Sequence, residues 1–233
     1  MARQIKGLLY FFITDIRHSL MIFWTILLSI LVVSLAFSYF LLSVEDGKYF
    51  FAFTIPIYVY CAIVGFLTVK DNIPFALKIG ATRKNIFISI GLFFLGLAFV
   101  KSIIANTLHA LTLLFTEATG IHTFHFIHAA SLLQDTWLTR VFVDASIAFF
   151  FFAVMFIVGL LFYKYGLAGG GSVAGVVVVV LLLGIAQGWI FDFFVEVISD
   201  LKLTFFFQML GVGIGIYIIS FLLVRRITTV KVK

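Results

Sequence analysis

Six stretches of this chain are each long and apolar enough to cross a lipid bilayer, and that constrains its fold more than anything else in the sequence. A helix spanning the hydrocarbon core needs about 20 mostly apolar residues. Residues 19–44 and 49–69 meet this without a single Lys, Arg, Asp or Glu before the acidic and basic stretches that follow them. Residues 85–116 meet it with one interruption, Lys101, and residues 145–163, 166–191 and 203–224 complete the set. Because lipid offers no hydrogen bonds, runs of this length must be helices. A soluble globule is excluded, since 64% of the 233 residues are hydrophobic and only 11% charged, far from the near-even composition of soluble domains. The lone Cys61 lies in an apolar run, which excludes an internal disulfide framework and reads as packing.

An even number of spans puts both termini on one side, and the basic residues choose the side. With the N-terminus in the cytoplasm, Arg3, Lys6, Arg17, Lys70, Lys78, Arg83, Lys84, Lys164, Arg225, Arg226, Lys231 and Lys233 lie inside, against Lys48, Arg140 and Lys202 outside. This asymmetry is the positive-inside rule. It also argues against nucleic acid as the reason for a net charge of +6, because the bases flank apolar runs and form no patch of their own. Residues 1–18 alternate polar Arg3, Tyr10, Thr14 and Arg17 with apolar side chains at helical spacing, which predicts a helix lying in the interface and no cleavable leader. Asp192, Glu196 and Asp200 stand four apart opposite Phe193, Phe194 and Val197, predicting a second amphipathic helix on the outer side. The expected fold is therefore a single-domain, all-α integral membrane protein with six spans and both termini cytoplasmic.

The segment after the second span carries most of the functional signal. Asp71-Asn72-Ile73-Pro74 has the capping side chains and early Pro that begin a helix. A short basic helix is expected from there through Phe75, Leu77, Lys78, Gly80, Ala81, Thr82, Arg83 and Lys84. A compact basic element held at the inner face suits docking, and it equally suits a plain positive-inside anchor.

With an amphipathic helix first, six spans, Ile79-Gly80-Ala81-Thr82-Arg83-Lys84 between spans two and three, and an amphipathic helix before span six, the chain resembles the permease subunits of type-2 (six-span, ABCG-like) ABC exporters. That resemblance covers essentially the whole chain. It implies that Pro74–Lys84 is a coupling helix seated on an ATP-binding cassette ATPase subunit, that residues 1–18 are the connecting helix, and that two permease protomers, identical or paralogous, surround a central path. It also implies a bacterial plasma membrane setting. No Gly-x-x-x-x-Gly-Lys-Ser/Thr string occurs in the chain. ATP and Mg would then belong to the partner subunit, and this chain is expected to hold no cofactor, no metal and no catalytic residue.

Candidate path residues are Lys101, costly at bilayer depth unless it faces protein or water, with Asn106 and His109 at nearby helical positions, and Gln187 and Gln208 in later spans. The functional reading places Lys101 on a translocation path or in a pairing with an acid such as Asp144, and the structural alternative is a snorkelling or structurally paired Lys. His122, His125 and His128 form a His-x-x-His-x-x-His string. Two of them could share a helix face toward zinc, but no carboxylate completes a metalloenzyme motif, and interfacial histidines are the plainer reading. Gly171-x-x-x-Gly175 and Gly211-x-x-x-Gly215 predict close helix packing, and Pro56 predicts a kink in span two. The 31 Phe suggest an amphiphilic cargo such as a peptide, lipid or drug. A substrate-capturing subunit of a vitamin importer and an intramembrane metal-dependent enzyme are the competing classes. The first would need a polar pocket near the outer face, and the second an acid or nucleophile at matching depth.

Overall fold

The computed structural model describes residues 2–227. Almost all of it is helix, in the order α1 (Ala2–Phe40), β1 (Tyr49–Phe51), α2 (Ile55–Lys78), α3 (Arg83–Thr119), β2 (Phe124–Phe126), α4 (Trp137–Ala186), α5 (Trp189–Ser199) and α6 (Leu203–Val224), with 3-10 turns at Leu41–Ser43 and Ala129–Leu132. Five of these helices are long and apolar enough to cross a membrane. The core forms where α2, α3, the first part of α4 and α6 meet, and α1 runs along α3. Phe94, Phe152, Phe156 and Ile90 are fully enclosed at its centre, and Phe94 and Phe152 stack with ring centroids 4.7 Å apart.

The fourth long helix holds two of the expected spans. Gly166 sits at φ 68°, ψ −166°, a combination essentially restricted to glycine. A Cβ on Gly170 would lie 2.4 Å from the ring of Phe162, eight residues back. In a straight helix, eight residues cover about 12 Å. The chain therefore folds back at Gly166, separating an arm of residues 137–165 from an arm of residues 167–186. The second arm, at 1.5 Å per residue, is about 30 Å long, the thickness of a bilayer core.

Other boundaries differ from expectation. Residues 1–18 are not a separate interfacial helix, because α1 is continuous through Phe40. No Gly, Pro or cap interrupts it near His18, and Leu8 and Phe12 are buried, Phe12 against Phe93 of α3. The second span does not begin at Tyr49. Tyr49–Phe51 pairs in parallel with Phe124–Phe126, Tyr49 opposite Phe124, as aromatic residues favour. Helix α2 starts at Ile55, so Pro56 falls in the first turn, where its missing N–H costs nothing, and it bends no span.

The short coupling helix is absent as a separate element. Pro74 lies inside α2, which continues to Lys78. Pro normally breaks a helix interior, but Asn72, Ile73 and Ala76 on either side of it are buried, and that packing holds the helix together. Gly80 then closes α2 at φ 79°. The Ala81 N–H donates to the Ala76 carbonyl at 3.0 Å and the Gly80 N–H to Leu77 at 3.1 Å, the Schellman arrangement. Thr82 caps α3 by accepting from the Asn85 N–H at 3.3 Å. Residues 79–82 are thus a tight turn between two long helices. The helix expected over Asp192–Asp200 is present as α5, whose described side chains are all at least partly exposed.

Glycine packing occurs at other glycines than those singled out from spacing. Among the described residues, a Cβ on Gly171, Gly175, Gly211 or Gly215 would meet nothing within 4 Å. Gly65 instead lets α2 approach the Phe152 backbone, and Gly159 lets α4 approach Phe66, each so closely that a Cβ would sit within 3 Å of a carbonyl oxygen.

Candidate functional site

Helix α3 carries polar side chains along one buried face: Asn85, Ser89, Lys101, Ser102, Asn106, His109, Thr112 and Thr116. Positions 85 and 89, then 102, 106, 109, 112 and 116, recur every three or four residues, the spacing of one helix face. The hydroxyls are largely self-satisfied. Ser102 donates to the Ala98 carbonyl and Thr112 to that of Leu108, each at 2.8 Å. The longer side chains reach across to other elements, and they build two distinct environments.

The first is an acidic node. Asp144 of α4 is 2% exposed. The Tyr58 hydroxyl of α2 donates to its Oδ1, and Asn106 Nδ2 donates to its Oδ2 at 2.6 Å. His128 Nε2 stands 3.0 Å from Oδ1, close in distance, although its ring N–H is not aligned along the contact as a hydrogen bond. His128 is oriented from its other nitrogen, since Nδ1 accepts the Ala130 N–H at 2.9 Å. His109 completes the wall, its ring centroid 4.0 Å from that of Phe126 and 5.9 Å from that of His128. One buried carboxylate therefore ties α2, α3, α4 and the strand-bearing loop together. Such a charge is tolerable because its oxygens are met by donors.

The second environment surrounds Lys101, which is 1% exposed. It does not pair with Asp144. Its ammonium lies 3.5 Å from the centroid of Tyr60 and 4.1 Å from that of Phe23, and Nζ has no hydrogen-bond acceptor among the described residues. Cation–π attraction offsets part of the desolvation. The Tyr60 hydroxyl in turn donates to Ser19 Oγ at 3.2 Å.

Of the candidate path residues, Asn106 and His109 meet around Asp144, Lys101 occupies its own aromatic cage, and Gln187, in the turn after α4, and Gln208 of α6 are exposed and join neither. His122 and His125 are exposed while His128 is buried, so the histidine string does not converge. Among the described residues no group of three or more His, Cys, Asp or Glu is arranged to hold a metal. Sequence reading did not assign Tyr58 or His128 to Asp144. The signal available was the three-to-four-residue polar recurrence along α3, but its partners come from distant segments.

At one end of the bundle, basic residues from separate segments gather. Leu77, Thr82, Arg83, Lys84 and Arg225 line a cleft of about 600 Å³ between the α2–α3 turn and the end of α6. Lys164, Arg225 and Arg226 line a neighbouring cleft of about 560 Å³. Lys78, Arg83 and Lys84 are exposed, and Arg83 Nε donates to the Ile227 carbonyl at 3.0 Å, tying the turn to the chain beyond α6. Gln4 of α1 donates to the Gly80 carbonyl at 3.3 Å and accepts from Asn85. Phe75, Ile79 and Gly80 add an apolar, exposed rim.

No family model, curated protein or solved structure matches this chain.

Proposed function

We propose that the chain is the transmembrane permease subunit of an ATP-driven exporter in a bacterial plasma membrane, with the two arms of α4 as spans four and five, six spans in all, and both termini cytoplasmic. The observation that carries this reading is the basic end of the bundle. Arg83, Lys84, Lys164, Arg225 and Arg226 are scattered over 144 positions of sequence yet line two adjoining clefts beside the tight turn that follows Lys78. A positive-inside anchor needs only charge; this end also presents the exposed apolar side chains Phe75 and Ile79, the mixture an ATPase subunit would grip. The turn is tied to α1 through Gln4, and Arg83 at the start of α3 is tied to the chain just beyond α6, so force applied there reaches α1, α2, α3 and that segment. ATP and Mg are held by that partner, no catalytic residue is assigned to this chain, and a second permease protomer completes an amphiphile-sized path.

The test is purification of the tagged chain from its host in mild detergent. A stoichiometric subunit bearing a phosphate-binding loop is expected to accompany it. Lys78→Glu with Lys84→Glu, at two exposed side chains that make no described hydrogen bond, is expected to abolish that association while leaving the yield of inserted permease unchanged. A chain that purifies alone, or a double variant that still brings down the ATPase, overturns the docking role.

A further inference from the structure

A cavity of about 120 Å³ opens between α1, α2 and α3, away from the Asp144 node. Its polar lining is Asp15, Ser19, Thr68, Asp71 and Asn72, all oxygen-bearing side chains in a chain of net charge +6. Neither carboxylate forms an ion pair with a described residue; the described pairs are His128–Asp144, Arg140–Asp135 and Lys202–Asp200. Asn72 supplies an independent sign of a missing ligand. It is 6% exposed, it lines the cavity, and its carboxamide makes no hydrogen bond among the described residues. Its carboxamide faces the same space as the two unpaired carboxylates. Thr68 spends its proton on the Val64 carbonyl at 2.7 Å, which leaves its lone pairs free, and Ser19, which accepts from Tyr60, keeps one lone pair.

Position adds to the argument. Asp71 lies nine residues before Gly80, about 13 Å up α2 from the basic end, and Asp15 lies thirteen residues into α1, about 20 Å along it. Asp15, Ser19 and Asp71 are exposed along the edge of the cavity, while Thr68 and Asn72 are buried behind them, so an incoming charged group meets the carboxylates first. The other half of the lining is apolar: Ile16, Leu67 and Phe93. Ile16 and Phe93 also line an apolar groove of about 430 Å³ between α1 and α3.

We propose that this cavity binds the primary ammonium group of an amphiphile, with Asp15 and Asp71 as counter-ions and Asn72 Oδ1 and Ser19 Oγ as hydrogen-bond acceptors, its methylenes lying on Ile16, Leu67 and Phe93. Three ammonium protons match several convergent oxygens. A quaternary ammonium would leave those acceptors unused. A metal ion would place its remaining water shell against the apolar half, and a volume of 120 Å³ holds several waters where an ion ligated by the walls would need them to close in. A free alkylamine and the ethanolamine headgroup of a lipid offer the same chemistry. The inference concerns binding to this chain alone and does not depend on the exporter reading.

The experiment uses the full chain in phosphatidylcholine nanodiscs, with radiolabelled dodecylamine as probe and dodecyltrimethylammonium as its quaternary control. Saturable dodecylamine binding is expected, at least tenfold tighter than that of the control, and at least tenfold weaker in Asp71→Asn and in Asn72→Leu. Replacing part of the phosphatidylcholine with phosphatidylethanolamine separates the sources: competition assigns the site to the lipid headgroup, and its absence assigns it to free amines, the proposal standing in both cases. Equal affinity for the quaternary control, displacement of the probe by micromolar calcium, or unchanged binding in both variants overturns it. The two single variants guard against misfolding, since a variant that loses its thermal transition is set aside and the other decides.

Discussion

The two arms of α4 share one continuous stretch of sequence and one apolar character, yet they live in opposite surroundings. In the first arm Val143, Phe152, Ala153, Phe156 and Leu160 are completely enclosed, and Asp144 and Ser146 are buried with them. In the second arm the buried positions are Gly170 and Gly184, while Val176 through Leu183 all stand about half exposed or more. Hydropathy therefore identifies a segment that avoids water but does not say whether protein or lipid covers it. The first arm is held by what lipid cannot supply: donors for a carboxylate, stacked rings, and glycines on facing helices that allow backbone contact. The second arm offers Gly, Val and Leu, which pack no better on protein than on lipid tails.

The contrast is most severely tested at Asp144. Replacing it with Leu strands Tyr58, Asn106 and His128 at once, and breaking such a buried charge node costs about 3–5 kcal/mol. The melting transition of the purified chain should collapse or fall by many degrees, whereas Ser172→Leu in the second arm should leave it in place. Phe156→Ala should lose about 3 kcal/mol through the cavity it leaves, and Val178→Ala no more than about 0.5 kcal/mol; equal losses would dissolve the distinction between the arms. Gly166→Ala, forced into the mirror-β region, should cost about 1–3 kcal/mol and is best read as increased protease cleavage around the fold-back. Gly65→Ala should cost a similar amount by driving a methyl to 2.7 Å from the Phe152 carbonyl oxygen. Gly175→Ala, which meets open space, should gain up to about 1 kcal/mol of helix propensity.

The smallest stability effect is expected at Lys101. An apolar side chain of similar length removes a charge without an acceptor, so Lys101→Met should melt at or slightly above wild type. If Lys101 lines the transport path, the same variant should change cargo export at unchanged protein level. Loss of protein would instead make it a structural residue.

Much of the secondary structure was legible from single residues and short patterns. Helix α6 runs over Leu203–Val224 as its apolar run indicated, α5 follows the acidic spacing of Asp192 and Glu196, and the chain breaks beside Lys164, at Gly166. Boundaries went astray where long-range packing overrode a local signal. Pro74 reads as a helix start, but buried Ile73 and Ala76 carry α2 through it. Tyr49–Phe51 reads as membrane helix, but a strand 75 residues away claims it. The site was legible by halves: Lys101, Asn106 and His109 stand out as polar residues in apolar sequence, while their partners do not. Asp144 lies 38 residues from Asn106 and 86 from Tyr58, and no local periodicity links them.

What the sequence by itself determined is a helical chain rich enough in apolar runs to enter a bilayer, with its bases divided unevenly between the connections. These follow from hydrophobicity and backbone hydrogen bonding, which are properties of each segment alone. Tertiary structure decided which face of each helix is enclosed, that Asp144 accepts from Tyr58 and Asn106 with His128 beside it while Lys101 rests on aromatic rings, and that Asp15, Asp71 and Asn72 face a common cavity. The physical reason is that a buried polar group is stabilised only by partners within about 3 Å, and distance on that scale is set by how the helices cross, not by the order of residues along them.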